Sequence, residues 1–270
     1  MVTIHRDNLE LGEDLIRHMV LNSLRGHNKK FRKQYGEMVI ACDSGNVWRR
    51  DIFPNYKAGR KANREKSEHD WEYIFDLLSK VKNEIKQFLP YKVIEVESVE
   101  ADDIIAVLCK RTNEKVLILS GDKDFIQLQK YKNVKQFSPI QKKMVTDKNP
   151  RTYAFNHIMR GDGGDGVPNV LSADDTFVTD KSQTPLRQTR IDEWLQNSDR
   201  LREVMPEEIY RNYQRNKKLI DLTEIPDDIQ ETIINTFENQ KVPMKMKVLN
   251  YLIKKRCNLL IEVAEEFYNG

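Results

Sequence analysis

The apolar positions alternate between two periods along the chain, and the alternation predicts helices and strands in turn. Leu15, Ile16, Met19, Val20 and Leu24 recur at helical spacing, and Arg25 to Lys33 extends that helix with a basic surface. Met38 to Cys42 is a short apolar run that reads as a buried strand ending at Asp43. Trp71, Ile74, Phe75, Leu78, Val81, Ile85 and Phe88 give one face of a long helix over 69–89, stopped by Pro90. Val93, Ile94 and Val96 suit a strand. Val99, Ile104, Ile105, Val107 and Leu108 suit an amphipathic helix that Ser98 could cap. Val116 to Leu119 is continuously apolar, as a parallel strand covered on both faces would be. Tyr91 to Phe125 therefore reads as one βαβ unit. A short helix from Asp124 and a hairpin around Ser138 and Pro139 follow. A helix over 152–159 comes next, then a glycine-rich turn and a polar, mobile loop over 172–190. Helices are expected at 191–197, 206–222, 227–239 and 247–268.

Composition narrows the class. The 270 residues are 39% apolar and 32% charged, and no apolar run reaches a membrane-spanning length. The first residues carry no signal-peptide pattern, so a cytoplasmic protein is expected, in the host cell if a phage encodes it. Cys42, Cys109 and Cys257 are few and dispersed and read as reduced core residues. A net charge of +3 says little, but its distribution says more. Arg49, Arg50, Lys57, Arg60, Lys61, Arg64 and Lys66 crowd one stretch, whereas the acids sit at strand ends.

Asp43, Glu100, Asp102, Asp103, Asp122 and Asp124 all follow strands. Singly, each could cap a helix or favour its dipole. Together at one sheet edge they exceed what capping needs. Hard oxygen donors with no neighbouring His or Cys favour Mg2+, with Mn2+ as the substitute. So many acids could hold two ions about 4 Å apart, suited to phosphodiester hydrolysis. Gly161, Gly163, Gly164 and Gly166 surround Asp162 and Asp165 in a turn that could grip a nucleic-acid backbone through its amides; an acidic surface turn is the plain alternative. In the basic stretch, Lys57 or Arg60 could neutralise a scissile phosphate, Tyr56 could stack on a base, and Arg49, Arg50 and Lys61 could track the backbone. His5, His18, His27, His69 and His157 show no motif spacing and receive no role.

With these residues in place, the blocks C-D-S-G, W-R-R-D-I-F-P-N-Y-K, E-A-D-D-I-I-A, S-G-D-K-D-F-I-Q-L and R-G-D-G-G-D-G-V-P-N-V give the chain its likeness. It resembles the flap endonuclease/5′-nuclease family, and within it the bacteriophage ribonuclease H branch, which removes RNA primers during DNA replication. The resemblance implies an α/β fold of the PIN/5′-nuclease type: a parallel sheet flanked by helices, with a helical C-terminal domain. It implies a nuclease domain over 1–150 with a basic arch at about 46–68. A helical domain over 151–270 would hold a helix–three-turn–helix at about 152–175 that grips duplex DNA. Asp43, Glu100, Asp102 and Asp103 would surround one ion and Asp122, Asp124, Asp162 and Asp165 the other. Lys57 and Arg60 would be catalytic. Gly161, Gly164 and Gly166 would join the DNA contacts. The reaction implied is phosphodiester hydrolysis at 5′ ends or flaps of RNA or DNA, leaving a 5′-phosphate. The implied partners are a single-strand-binding protein and a sliding clamp, with the enzyme a monomer and no membrane involved.

One departure stands out. The family opens with a central strand ending in a metal-binding Asp, but M-V-T-I-H-R-D-N-L-E before the helix from Leu11 holds no apolar strand, and Asp7 is not given that role. The expectation is a gap in the sheet and one ligand fewer. The alternative function is a truncated or degenerate member that binds branched or duplex DNA with impaired catalysis.

Overall fold

A computed structural model describes residues 9–67, 70–179 and 181–269, and all of their side chains except those of 9–11 and 61–63. The expected first strand and Asp7 lie outside the described residues, as does the side chain of Lys61. In chain order the elements are α1 (Leu9–Tyr35), β1 (Val39–Cys42), α2 (Arg49–Ile52), α3 (Gly59–Glu65), α4 (Trp71–Phe88), β2 (Lys92–Glu95), α5 (Ala101–Arg111) and β3 (Val116–Leu119). A 3-10 helix (Lys123–Lys130) leads to β4 (Val134–Ser138), β5 (Lys143–Val145) and α6 (Pro150–Arg160). After these come α7 (Gln188–Gln196), α8 (Leu201–Val204), α9 (Glu207–Ile220), α10 (Asp227–Asn239), α11 (Met246–Lys254) and α12 (Asn258–Ile261). No described helix is long and apolar enough to cross a membrane.

The chain forms two compact units, each built from separated segments. The first comprises Met1–Cys42, Ser67–Ile94 and Asn235–Gly270. Its core joins Leu21 of α1, Leu77, Val81 and Ile85 of α4, and Val248 and Leu252 of α11. The apolar face of α4 is rotated from the expected one: Leu77 is buried, whereas Phe75 and Leu78 are exposed. A buried polar knot ties the same helices. Arg17 Nε donates to Glu84 Oε2 at 2.7 Å, and the Tyr251 hydroxyl donates to Glu84 at 2.8 Å. The helix expected over 247–268 breaks into α11, α12 and a 3-10 turn at Ala264–Phe267; the first break comes where Arg256 adopts a left-handed backbone (φ 52) and the Cys257 amide turns back to Leu252 O. The last helices pack with the first, so the two units do not follow the expected division at residue 150.

The second unit comprises Asp43–Lys66 and Glu95–Ile234. β3 pairs parallel with β4, in register Val116↔Val134 to Leu119↔Phe137, and β4 pairs antiparallel with β5. β2 is hydrogen-bonded to β1 instead, so the expected βαβ unit does not close into one sheet. No described strand hydrogen-bonds to both β2 and β3. Two apolar clusters support α6, one around Phe155, Met159, Ile191 and Trp194, the other around Phe53, Ile158, Val167 and Leu219. The helix expected just after the glycine turn is absent: turns fill 170–179, and the next regular helix is α7. The polar stretch after 172 is tied down by its side chains. Asn169 and Ser172 are buried and hydrogen-bond to Gln183 and Thr184. Cys109 and Cys257 are buried thiols and Cys42 is partly buried.

Candidate active site

The acids after β2 divide their work. Glu100 caps α5, and its side chain and that of Asp103 complete a capping box. Ser98 takes no part in the cap. Asp103 is fully buried and holds Arg49 through two hydrogen bonds, at 2.7 and 2.9 Å, and accepts from Trp48 Nε1 at 2.9 Å. Both oxygens of Asp103 are thus taken up by Arg49 and Trp48 rather than facing the cavity of the other acids, where an ion was expected. Arg49 is 2% exposed and also donates to Glu100 Oε2 at 2.7 Å and Leu219 O at 2.8 Å. It cannot track a DNA backbone from there. Asp102 is the acid that capping leaves over. Burial, then the charges of Asp122, Asp124 and Glu100, push its carboxyl up to about 7.

After β3, Asp122 is exposed and caps the 3-10 helix by accepting from the Asp124 amide at 3.0 Å. Asp124 points inward. Burial pushes its carboxyl up to about 6; His157 opposes the shift, and Asp122, Asp162 and Asp165 add to it. Asp43 is exposed and accepts from the Ala101 amide at 2.8 Å at the start of α5, and does not line the cavity of the other acids.

The glycine turn presents Asp162 and Asp165. α6 ends at Gly161 in a left-handed conformation (φ 67), where a Cβ would lie 2.3 Å from Val167 O. Backbone bonds between Asp162 and Val167 at 2.8 and 2.7 Å close the loop. Asp162 Oδ1 accepts from the amides of Gly164 (2.8 Å) and Asp165 (3.2 Å), and the Gly166 amide bonds Gly163 O (3.3 Å). The Gly164 and Gly166 amides expected to hold a phosphate are therefore spent inside the turn. The His157 hydrogen bond, against the opposing effect of burial, holds the Asp162 carboxyl below its ordinary value.

Glu100, Asp102, Asp124, Asp162 and Asp165 thus line one cavity of about 20 Å³, with Arg49 and Tyr56 on its wall. That is room for one water-sized occupant. The two expected carboxylate groups are not separate: members of both face this space, while Asp43 and Asp103 do not. A wider, open pocket of about 440 Å³ adjoins it at Asp124 and Asp162 and includes Asp122, Tyr153 and His157. Tyr56 is 4% exposed, and its hydroxyl donates to Glu100 (3.1 Å) and Asp165 (3.0 Å), so base stacking is closed to it. Lys57, itself left-handed (φ 57), pairs with Glu100 and sits 3.5 Å from Asp165, while half-exposed Arg60 pairs with Asp165. Arg50 is exposed at the same edge.

His157, given no role from sequence, stands between two of these acids. Its Nδ1 lies 3.3 Å from Asp124 and its Nε2 3.5 Å from Asp162. Burial alone would lower its pKa, but the Asp162 hydrogen bond and the Asp124 charge outweigh burial and raise it. The available signal was its place one helical turn before Gly161, on the helix that delivers Asp162.

With the geometry in place, the chain can be set beside known proteins. Residues 15–155 match the 5′-3′ exonuclease, N-terminal resolvase-like domain, and residues 149–267 match the T4 RNase H, C terminal, family. The Ribonuclease H of Enterobacteria phage T4 is 36% identical over 272 residues, covering 97% of this chain and 89% of the relative. A 5′-3′ exonuclease of Buchnera aphidicola is 26% identical over 153 residues, covering 53% of this chain and 50% of that protein. Among solved structures, the bacteriophage T5 flap endonuclease in a pseudo-enzyme–product complex with DNA and metal ions shares the fold. Its TM-score is 0.55 at 19% identity, over 79% of this chain and 88% of that one. The chain belongs to the 5′-3′ exonuclease family, in its phage ribonuclease H branch, and is a 5′ nuclease.

Proposed function

We propose that this nuclease uses two divalent ions, Mg2+ with Mn2+ as substitute, to hydrolyse phosphodiesters at 5′ ends and flaps, removing RNA primers or 5′ flaps during phage DNA replication. The observation that carries the reading is the convergence of Glu100, Asp102, Asp124, Asp162 and Asp165 on one small cavity. Carboxyls there rise to about 7 and about 6, partly through mutual repulsion. Five carboxylates on one wall, with protonation forced upward, offer the oxygen donors that hard cations prefer. These five residues would hold the ions, one in this cavity and one where Asp124 and Asp162 open on the wider pocket, with Asp122 at that pocket's rim. When bound, the ions supply Lewis-acid stabilisation of charge developing at phosphorus.

Lys57 and Arg60, paired with Glu100 and Asp165, are the arch cations at the cavity mouth. The proposal gives them the scissile phosphate, where positive charge offsets the charge of the transition state. Exposed Arg50 extends the basic path for the nucleic-acid backbone. The buried Arg49–Asp103–Glu100 pairing fixes α2 against α5 and so sets the base of the arch. The DNA in the T5 complex supports a nucleic-acid substrate for this chain. The proposed setting is the replication fork in the host cytoplasm, with the enzyme a monomer beside the fork's single-strand-binding protein and sliding clamp.

The test is cleavage of a labelled 5′-flap duplex and an RNA/DNA hybrid. Cutting is expected with Mg2+ or Mn2+, absent with EDTA, and to leave 5′-phosphate ends. Asp124→Asn should abolish cleavage while gel-shift binding of the flap persists. Full activity in EDTA, or in Asp124→Asn, would overturn the reading.

A further inference from the structure

His157 is built into the acidic site without being one of its acids. It stands on α6, its side chain 17% exposed, with Nδ1 facing Asp124 and Nε2 facing Asp162 at 3.3 and 3.5 Å. Tyr153, one turn earlier, packs edge-on against the imidazole at a centroid distance of 6.1 Å and fixes its plane. One donor atom from each of Asp124, His157 and Asp162 falls within 4.8 Å of the others. All three open on the wider pocket, where there is space for an ion with its remaining waters.

We propose that His157 is a ligand of one divalent ion, together with Asp124 and Asp162, and that its nitrogen shifts that site's preference from Mg2+ toward Mn2+ and Co2+. The proposal rests on the reading of these acids as metal ligands and adds to it a donor of another class. Mg2+ is small, hard and reluctant to shed water, so a nitrogen ligand gives it little. Transition ions gain from imidazole, increasingly along the series from Mn2+ to Co2+. The geometry also supplies the usual support for such a ligand. While one ring nitrogen takes the ion, the other keeps its proton and donates to the neighbouring carboxylate, which orients the ring.

The competing role makes the opposite prediction. If His157 served only as an imidazolium counter-charge between two carboxylates, removing it would leave more negative charge for any cation. Divalent binding would then tighten, Mg2+ and Mn2+ alike.

The experiment measures Mn2+ binding to the metal-free full chain from the EPR signal of free Mn2+, with Mg2+ affinity taken by competition. His157→Gln is expected to weaken Mn2+ binding at one site by about tenfold or more, and Mg2+ binding by clearly less. Pulsed EPR of the Mn2+-loaded wild type should show coupling to an imidazole nitrogen, and His157→Gln should lose it. The wild-type spectrum is a readout that does not depend on the variant folding. Bound Mn2+ without nitrogen coupling, or a variant that binds Mn2+ as tightly or more tightly, would overturn the role of His157 while leaving the acidic site standing. A wild type that binds no divalent ion would overturn both.

Discussion

Arg49→Ala separates a structural reading of the arch from a DNA-binding one. The guanidinium is 2% exposed and makes four hydrogen bonds of 2.7–2.9 Å, to Glu100, to both oxygens of Asp103 and to Leu219 O. It also lies over the Trp48 ring at 4.5 Å. Its loss leaves Asp103 fully buried and Glu100 nearly so, with no cation in reach of Asp103 among the ion pairs of the described residues. Removing one partner of a buried ion pair costs about 3–5 kcal/mol, because the remaining charge stays desolvated. Against a total stability of about 5–15 kcal/mol, that is a large fraction. Urea unfolding of the metal-free chain should shift its midpoint down by about 1–2 M, taking a slope of about 3 kcal/mol per M. In an Asp103→Asn background the same substitution should cost less, because the two residues act as one unit. Flap affinity per folded molecule should be nearly unchanged at moderate salt. A stability loss below about 1 kcal/mol, together with weaker flap binding and a reduced salt dependence, would refute the structural reading and make Arg49 a backbone contact.

The raised carboxyls give the metal-free protein a pH signature. Asp102 titrates near 7 folded against an ordinary 3.8, and Asp124 near 6, so the folded state keeps protons that the unfolded state releases. Their contribution to stability therefore falls as pH rises from about 4 to 7. The lowered carboxyls of Glu13, Glu84 and Asp162 keep their full stabilisation above their ordinary values of 4.5, 4.5 and 3.8 and lose it only below them, outside this window. Calorimetry of the EDTA-treated protein should show Tm falling between pH 5 and 7.5, with Mg2+ restoring more at pH 7.5 than at pH 5; a Tm that rises over this window would contradict the assignment. Lys57→Ala should lower single-turnover cleavage by about 10²–10³ with flap affinity little changed, as loss of a transition-state charge donor does; a change in affinity alone would make Lys57 a positioning contact. Gly161→Ala forces a left-handed alanine and a Cβ 2.3 Å from Val167 O, so chemical denaturation should show a loss of at least about 1–3 kcal/mol; wild-type stability would mean the turn has another conformation in solution.

Much of the site was legible because its signals are local. Each cluster of strand-end acids, the basic stretch over 49–66 and the glycine turn is a short run of sequence, and short-range patterning reads them directly. The same periodicity gave most helices and all five strands among the described residues. What periodicity could not supply is direction. Glu100, Asp102 and Asp103 are consecutive or nearly so, yet Glu100 caps α5 while also lining the cavity, Asp102 lines it without capping, and Asp103 is locked to Arg49 away from it. Capping geometry and the approach of α2 decide among them, and α2 lies 51 residues or more away. The glycine turn reads as a phosphate grip until Asp162 is seen to take its amides. Arg49 and Tyr56 read as DNA contacts because charge and aromaticity carry no mark of burial.

The sequence by itself determined the elements, the family and the supply of acids and cations, since these follow from local period and composition. Only the tertiary structure decided which acids share a cavity, which cation is buried, where the last helices pack and that His157 stands between Asp124 and Asp162. Those outcomes depend on contacts between residues far apart in the chain, whose energies are set by packing and desolvation.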